Sequence, residues 1–277
     1  MTPGGVVDCA PVEGALRLSG RREPLGLWRH RAGPPAEVPG LRAERIEFSS
    51  RGDRATGRLW LPRRGDGERP LVVLSHRAGE SSASPEIEAV AGRLAARGAA
   101  VAAIDLPLHG GRGDAKLGAR LARALSGDRE AAPEALVEEF ARQSVIDLER
   151  ALDACASIAE LDMERVACVG FGLGARLSTV FGGLDPRVHA VALVFPGGAV
   201  AGGLDALAHV GRIAPRPLLL VHAGRGDPAA ARAARALYEA AGEPKQECRI
   251  GGDTPGDPAV IAALERFLAP ALALPAA

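Results

Sequence analysis

From Ala43 onward, short apolar runs alternate with longer stretches that carry helical spacing. Arg45–Ser49 and Ala55–Leu61 alternate apolar and polar around Arg51-Gly52-Asp53-Arg54, which predicts a β-hairpin. Strands are predicted at Leu71–Ser75, Ala100–Ile104, Arg165–Gly170, Ala190–Phe195, Pro217–His222 and Lys245–Ile250. Helices are predicted at Glu86–Arg97, Pro133–Ile158, Ala175–Phe181, Pro228–Ala241 and Pro258–Leu268. The long one places Leu136, Phe140, Val145, Leu148, Leu152 and Ala156 at helical intervals. Near-continuous apolar strands that alternate with helices mean an α/β fold, a mainly parallel sheet with helices on both faces. Residues 1–40, rich in Gly, Pro and Arg, read as an N-terminal extension with a short helix near Glu23–His30. Residues 41–270 form the domain and 271–277 a tail. An insertion at 112–132, with a helix over Ala115–Ser126, reads as a lid.

In such sheets ligands sit beyond the carboxyl ends of the strands. That singles out Ser75-His76-Arg77-Ala78-Gly79, Asp105 to Arg112, Gly170 to Gly174, Pro196-Gly197-Gly198, Ala223 to Asp227 and Gly251 to Thr254. Several of these segments resemble the α/β-hydrolase superfamily, nearest its dienelactone-hydrolase and small-esterase branches, over about residues 44–268. LVVLSHRAG is similar to the strand and oxyanion loop, and AAIDLPLHGGRG to the Asp-x-Pro-x-His-Gly turn. RVACVGFGLGARLS is similar to the nucleophile elbow, usually G-x-S-x-G. PRPLLLVHAGRGDP is similar to the acid-bearing strand, and RIGGDTPGDPAVIAALERFL to the segment that carries the histidine.

The resemblance implies an α/β-hydrolase fold but not its triad. Gly172 stands at the nucleophile position and Asp253 at the histidine position, while Asp227 holds the acid position. Glycine has no hydroxyl to attack with, and a solvated Asp lacks the near-neutral pKa of imidazole. The expectation is a family member without ordinary esterase activity that keeps a pocket. The alternative is repurposed chemistry (a lyase, isomerase, cyclase or water-based hydrolase) with Asp227, Asp253 or His109 as proton carriers. Backbone N–H groups near Arg77, Ala78, Gly172 and Leu173 are expected to face an anion or a carbonyl oxygen. Arg77, Arg112 and Arg225 follow three different strands and are expected at the same rim, or else as solvated charges. His109 is either a turn histidine bonded to backbone or a replacement acid/base. Gly170-Phe171-Gly172-Leu173-Gly174-Ala175 also fits the dinucleotide fingerprint G-x-G-x-x-A, but it follows a late strand and lacks the acidic residue at the end of the next one.

Composition narrows the partners. Thirty-four basic and 34 acidic residues give a formal net charge of zero, and aromatics are 3%. That argues against a nucleic-acid or anionic-membrane surface, and the retained pocket is expected to bind a small molecule, anionic or carbonyl-containing, or a protein partner. Lysine occurs only at Lys116 and Lys245, a bias expected of a GC-rich genome. Cys9, Cys155, Cys168 and Cys248 lack metal spacing, so no metal or other cofactor is expected. They read as reduced thiols of a cytoplasmic protein. No leader pattern opens the sequence, and no apolar run reaches membrane-spanning length.

Overall fold

The computed structural model describes residues 23–31, 40–63, 67–125, 127–128, 130–197, 205–224 and 228–275. Nine strands form one sheet: β1 (Trp28–Arg31), β2 (Leu41–Ser50), β3 (Asp53–Pro62), β4 (Arg69–Ser75), β5 (Ala100–Ile104), β6 (Leu161–Phe171), β7 (Ala190–Val194), β8 (Leu218–Ala223) and β9 (Lys245–Ile250). The order is β1-β2-β3-β5-β4-β6-β7-β8-β9. β1, β2, β3 and β5 pair antiparallel, and every pair from β5 to β9 is parallel. The helices are α1 (Pro85–Ala96), α2 (Ala115–Leu125), α3 (Glu134–Ala156), α4 (Leu173–Leu184), α5 (Ala206–Val210), α6 (Pro228–Ala240) and α7 (Pro258–Ala271).

The period of two along each strand divides the core between the faces. In β4, Leu71 and Val73 join the layer containing α3, α4 and α6, while Val72 and Leu74 join the layer under α1 and α7. Burial on both faces is why these runs show no alternation in sequence. Among the described residues, no helix is long and apolar enough to cross a membrane.

One element departs from expectation. The helix expected near Glu23–His30 is instead strand β1, all of whose residues are exposed, paired with Glu44–Glu47. The free edge of β2 offers its hydrogen-bonding groups, and Arg29 Nε meets Glu44 at 2.8 Å. Tertiary pairing here outweighs local propensity. Leu25 and Leu27 also pack against the core. Helix α2 turns Leu121 and Leu125 into the core on the α3 side, and Arg120 Nε donates to Ala131 O at 2.9 Å. This packing lays α2 down on the core.

Candidate functional site

Strand order reverses at β4. The chain leaves β4 for β5 on one side and later reaches β6 on the other. Such a switch point opens a crevice at the carboxyl ends of the two strands. Ser75 lies opposite Gly170 there, so the segments after them, His76–Ala78 and Gly172–Leu173, become neighbours.

Gly172 is the N-cap of α4, at φ 55° and ψ −111°. This positive φ suits glycine, and a side chain there is strained by roughly 1–3 kcal/mol. The turn is pinned by Gly172 N–H to Val194 O at 2.9 Å and Gly174 N–H to His76 O at 3.1 Å. A Cβ on Gly172 would meet Arg77 Cγ at 3.0 Å and Cδ at 3.4 Å. The stem of Arg77 thus takes much of the room that a nucleophile side chain would need. Arg77 is latched in place, with Nε donating to Glu80 Oε1 at 2.7 Å and Nη1 reaching Asp253 O at 3.4 Å. Its own N–H donates to Glu80 Oε2 at 3.3 Å. Among the described residues, the N–H groups of Ala78 and Leu173 have no acceptor.

The histidines of the two loops are committed to backbone. His76 is buried and accepts from Leu106 N–H at Nε2 (3.1 Å), which leaves its proton on Nδ1, directed at Arg77 O (2.7 Å). Burial is the main cause that pushes its pKa down to about 4, so the ring is neutral. His109 is buried against His76 and Phe140, with Nδ1 2.8 Å from Pro107 O. That is the turn-histidine arrangement.

Arg112 is not at the rim. Its guanidinium is covered and bonds Asp147 at 2.5 Å, Asp53 at 2.5 Å and Asp105 O at 3.2 Å. Burial pushes the Asp147 carboxyl up, and Arg112, Ser50 and Gln143 pull it back. A guanidinium that does not give up its proton keeps the pair ionic. The sequence offers no direct sign of this, because Asp147 looks like any polar position of a long helix. Asp105 is structural too. Its carboxylate accepts from Ser82 N–H (2.8 Å), Thr56 Oγ1 (2.9 Å) and Gly111 N–H (3.0 Å).

A cavity of about 390 Å³ opens beyond β7 and β8, lined by Phe195, Pro196, Gly197, His222, Ala223 and Asp253 among others. Among the described residues, Asp253 is the one candidate that lines it, and it is exposed. Asp227 and Arg225 lie outside the described residues. A wider groove of about 550 Å³ runs between α6 and the edge strand β9, lined by Arg232, Arg235 and Glu247. Its walls are exposed helix and edge-strand side chains, so the cavity at the strand ends is the better candidate site.

Two lining or neighbouring side chains escape the sequence reading. His222 looks like core, yet it is the last inward position of β8, shares its face with Leu220, and borders both cavities. Arg176 lies one turn into α4, where its Nε donates to Pro196 O at 2.9 Å. Its signal is a charged residue four positions after the elbow, in a helix otherwise almost wholly buried. Cys168 is fully buried beside Ser178, and burial pushes its thiol up to about 12, which excludes it as a nucleophile near neutral pH. Among the described residues, no group of His, Cys, Asp and Glu is placed to hold a metal ion.

The fold has close solved relatives in shape. The acetyl xylan esterase from Paenibacillus sp. R4 superposes with a TM-score of 0.76 at 18% identity, covering 97% of this chain and 96% of that one. Acetyl xylan esterase 1 from Thermoanaerobacterium sp. JW/SL YS485 gives 0.76 at 16%, covering 98% and 95%. A protein assigned as a dienelactone hydrolase, from Klebsiella pneumoniae subsp. pneumoniae MGH 78578, gives 0.63 at 16%, covering 83% and 98%. At these identities the likeness establishes the α/β-hydrolase fold alone. No curated protein matches the chain in sequence. The acetyl xylan esterase (AXE1) family model matches residues 36–197, more than half of the chain and inclusive of the elbow, so the protein belongs to that family.

Proposed function

We propose that this member of an esterase family does not use the acyl-serine route and instead holds a small ligand in the cavity beside the elbow. The observation that carries the reading is Gly172 at φ 55°, with the Arg77 stem where a nucleophile side chain would stand. Acyl transfer through an enzyme ester needs an oxygen or sulfur at the bend and a base within hydrogen-bond reach of it. Gly172 supplies no such atom. His76 and His109 direct their Nδ1 protons at backbone carbonyls. The features that favour binding remain: the unpaired N–H groups of Ala78 and Leu173, the amino end of the twelve-residue α4, and the cavity that Asp253 borders.

The test is p-nitrophenyl acetate turnover by the purified full chain against a heat-treated control. The two rates are expected to agree. Saturable turnover well above the control, abolished by unfolding, would overturn the reading.

A further inference from the structure

Strand β9 ends the sheet and pairs on one side only, with β8. Its backbone shows which groups are left over. Pro244 O accepts from Leu218 N–H at 3.0 Å and Ile250 O from Gly224 N–H at 2.6 Å, so both residues turn their polar groups toward β8. Alternation along the strand turns Gln246 and Cys248 the same way. It aims the N–H and C=O groups of Lys245, Glu247 and Arg249 at the open edge. Lys245 N–H is taken by Glu243 Oε2 at 3.0 Å. Among the described residues, nothing bonds the outward groups of Glu247 and Arg249. Both side chains are exposed, and both lie on the α6 face, in register with Leu220 and His222. An edge of this kind is a template for another strand.

The charge pattern says which strand fits. Two copies of β9 can pair antiparallel about a two-fold axis, the commonest symmetry of protein dimers. Open groups must meet open groups, so Lys245, Glu247 and Arg249 can only stand opposite one another. Glu247 opposite its own copy sets two carboxylates face to face. Arg249 opposite its own copy does the same with two guanidiniums. Like charges directly opposite are destabilising. The register between these two sets Glu247 opposite Arg249 of the second copy, twice over by symmetry. The partners are available for it. Glu247 holds His222 Nε2 through Oε1 alone, at 2.9 Å, and Arg249 has no acid within salt-bridge reach among the described residues. The other edge of the sheet lacks this pattern, since β1 is Trp28-Arg29-His30-Arg31, with cations and no acid.

We infer that the chain forms a two-fold dimer through β9, which joins the two sheets into one in the register set by the paired Glu247 and Arg249. This register puts Cys248, a free and partly buried thiol, opposite Cys248 of the second copy. The two occupy a non-hydrogen-bonded position, where Cα atoms lie about 4.5 Å apart, within the span of a disulfide. The like-charge registers would set Cys248 opposite Gln246 or Ile250 instead. Cys248 therefore reports the register.

Sedimentation velocity of the full chain over a concentration series should show a species of twice the chain mass. Glu247→Arg and Arg249→Glu should each raise the dimer dissociation constant at least about tenfold, and the two changes in one chain should restore it. The two single variants, mixed, should form a heterodimer, because each opposed pair then carries opposite charges. Diamide, which takes up the two electrons and two protons that leave the paired thiols, should link Cys248 to Cys248 in the unmodified dimer, as mapped by peptide mass spectrometry. A monomer throughout the series, a dimer that both single variants leave unchanged, or a dimer in which diamide forms no Cys248–Cys248 link overturns the inference. The mass and the cross-link are read on the unmodified protein, so they decide the matter even where a variant fails to fold.

Discussion

The elbow supplies a stability prediction that separates two causes. Gly172→Ala puts a Cβ at φ 55°, which costs roughly 1–3 kcal/mol in strain whatever the surroundings. It also brings that carbon to 3.0 Å from Arg77 Cγ, closer than ordinary van der Waals contact, so the latched Arg77 stem must yield. The Arg77–Glu80 hydrogen bond at 2.7 Å resists that movement, and a partly exposed pair of this kind is worth up to about 1 kcal/mol. The total expected for Gly172→Ala is therefore about 1–4 kcal/mol, with strain as the larger share. Arg77→Ala deletes Cγ and Cδ and leaves only Cβ, at the ordinary distance of 3.5 Å. In that background Gly172→Ala should cost only the strain. Urea unfolding of the two single variants and the double variant gives the coupling energy directly. The expected coupling is favourable and about 1 kcal/mol. Perfect additivity would mean that Arg77 does not occupy the elbow, and a neutral Gly172→Ala would mean that the bend is not strained.

Two further outcomes follow from the buried charges and rings. His76 titrates near 4 in the folded state against an ordinary 6.5, so the unfolded chain binds the extra proton between those values and stability falls as pH drops through that window. Integrated from pH 8 to pH 5, the loss is about 2 kcal/mol, and His76→Gln should flatten that part of the pH profile of urea unfolding; an unchanged profile refutes the sealed, neutral ring. Arg112→Met strands Asp147 without its cation and should cost about 3–5 kcal/mol, whereas Arg112→Met with Asp147→Leu should recover most of it in the same assay. Equal losses in the single and double variants would contradict the ion pair as described.

Much of the fold was legible because long-range order follows local pattern here. β5 and β9 coincide with the strands predicted at Ala100–Ile104 and Lys245–Ile250, and the elbow falls where the glycine spacing places it. The exceptions have physical causes. Trp28–Arg31 carries no strand signal of its own and extends because the edge of β2 receives it. Arg112 follows a strand as rim residues do, yet Asp147, distant in sequence, draws it inward. His109 is legible as a turn residue from its motif. Its bond to Pro107 O matches the simpler of the two expectations. His222 needed the placement of β8 beside α6 to reveal that it borders a cavity as well as the core.

The account depends on the absence of a reactive side-chain atom at the bend between β6 and α4. Intact-protein mass spectrometry after incubation with a fluorophosphonate tests it most directly. The predicted spectrum shows the unmodified mass alone, as it would after heat denaturation. A stoichiometric adduct on the native protein, mapped to the peptide spanning Gly170–Arg176 and absent after denaturation, would contradict it.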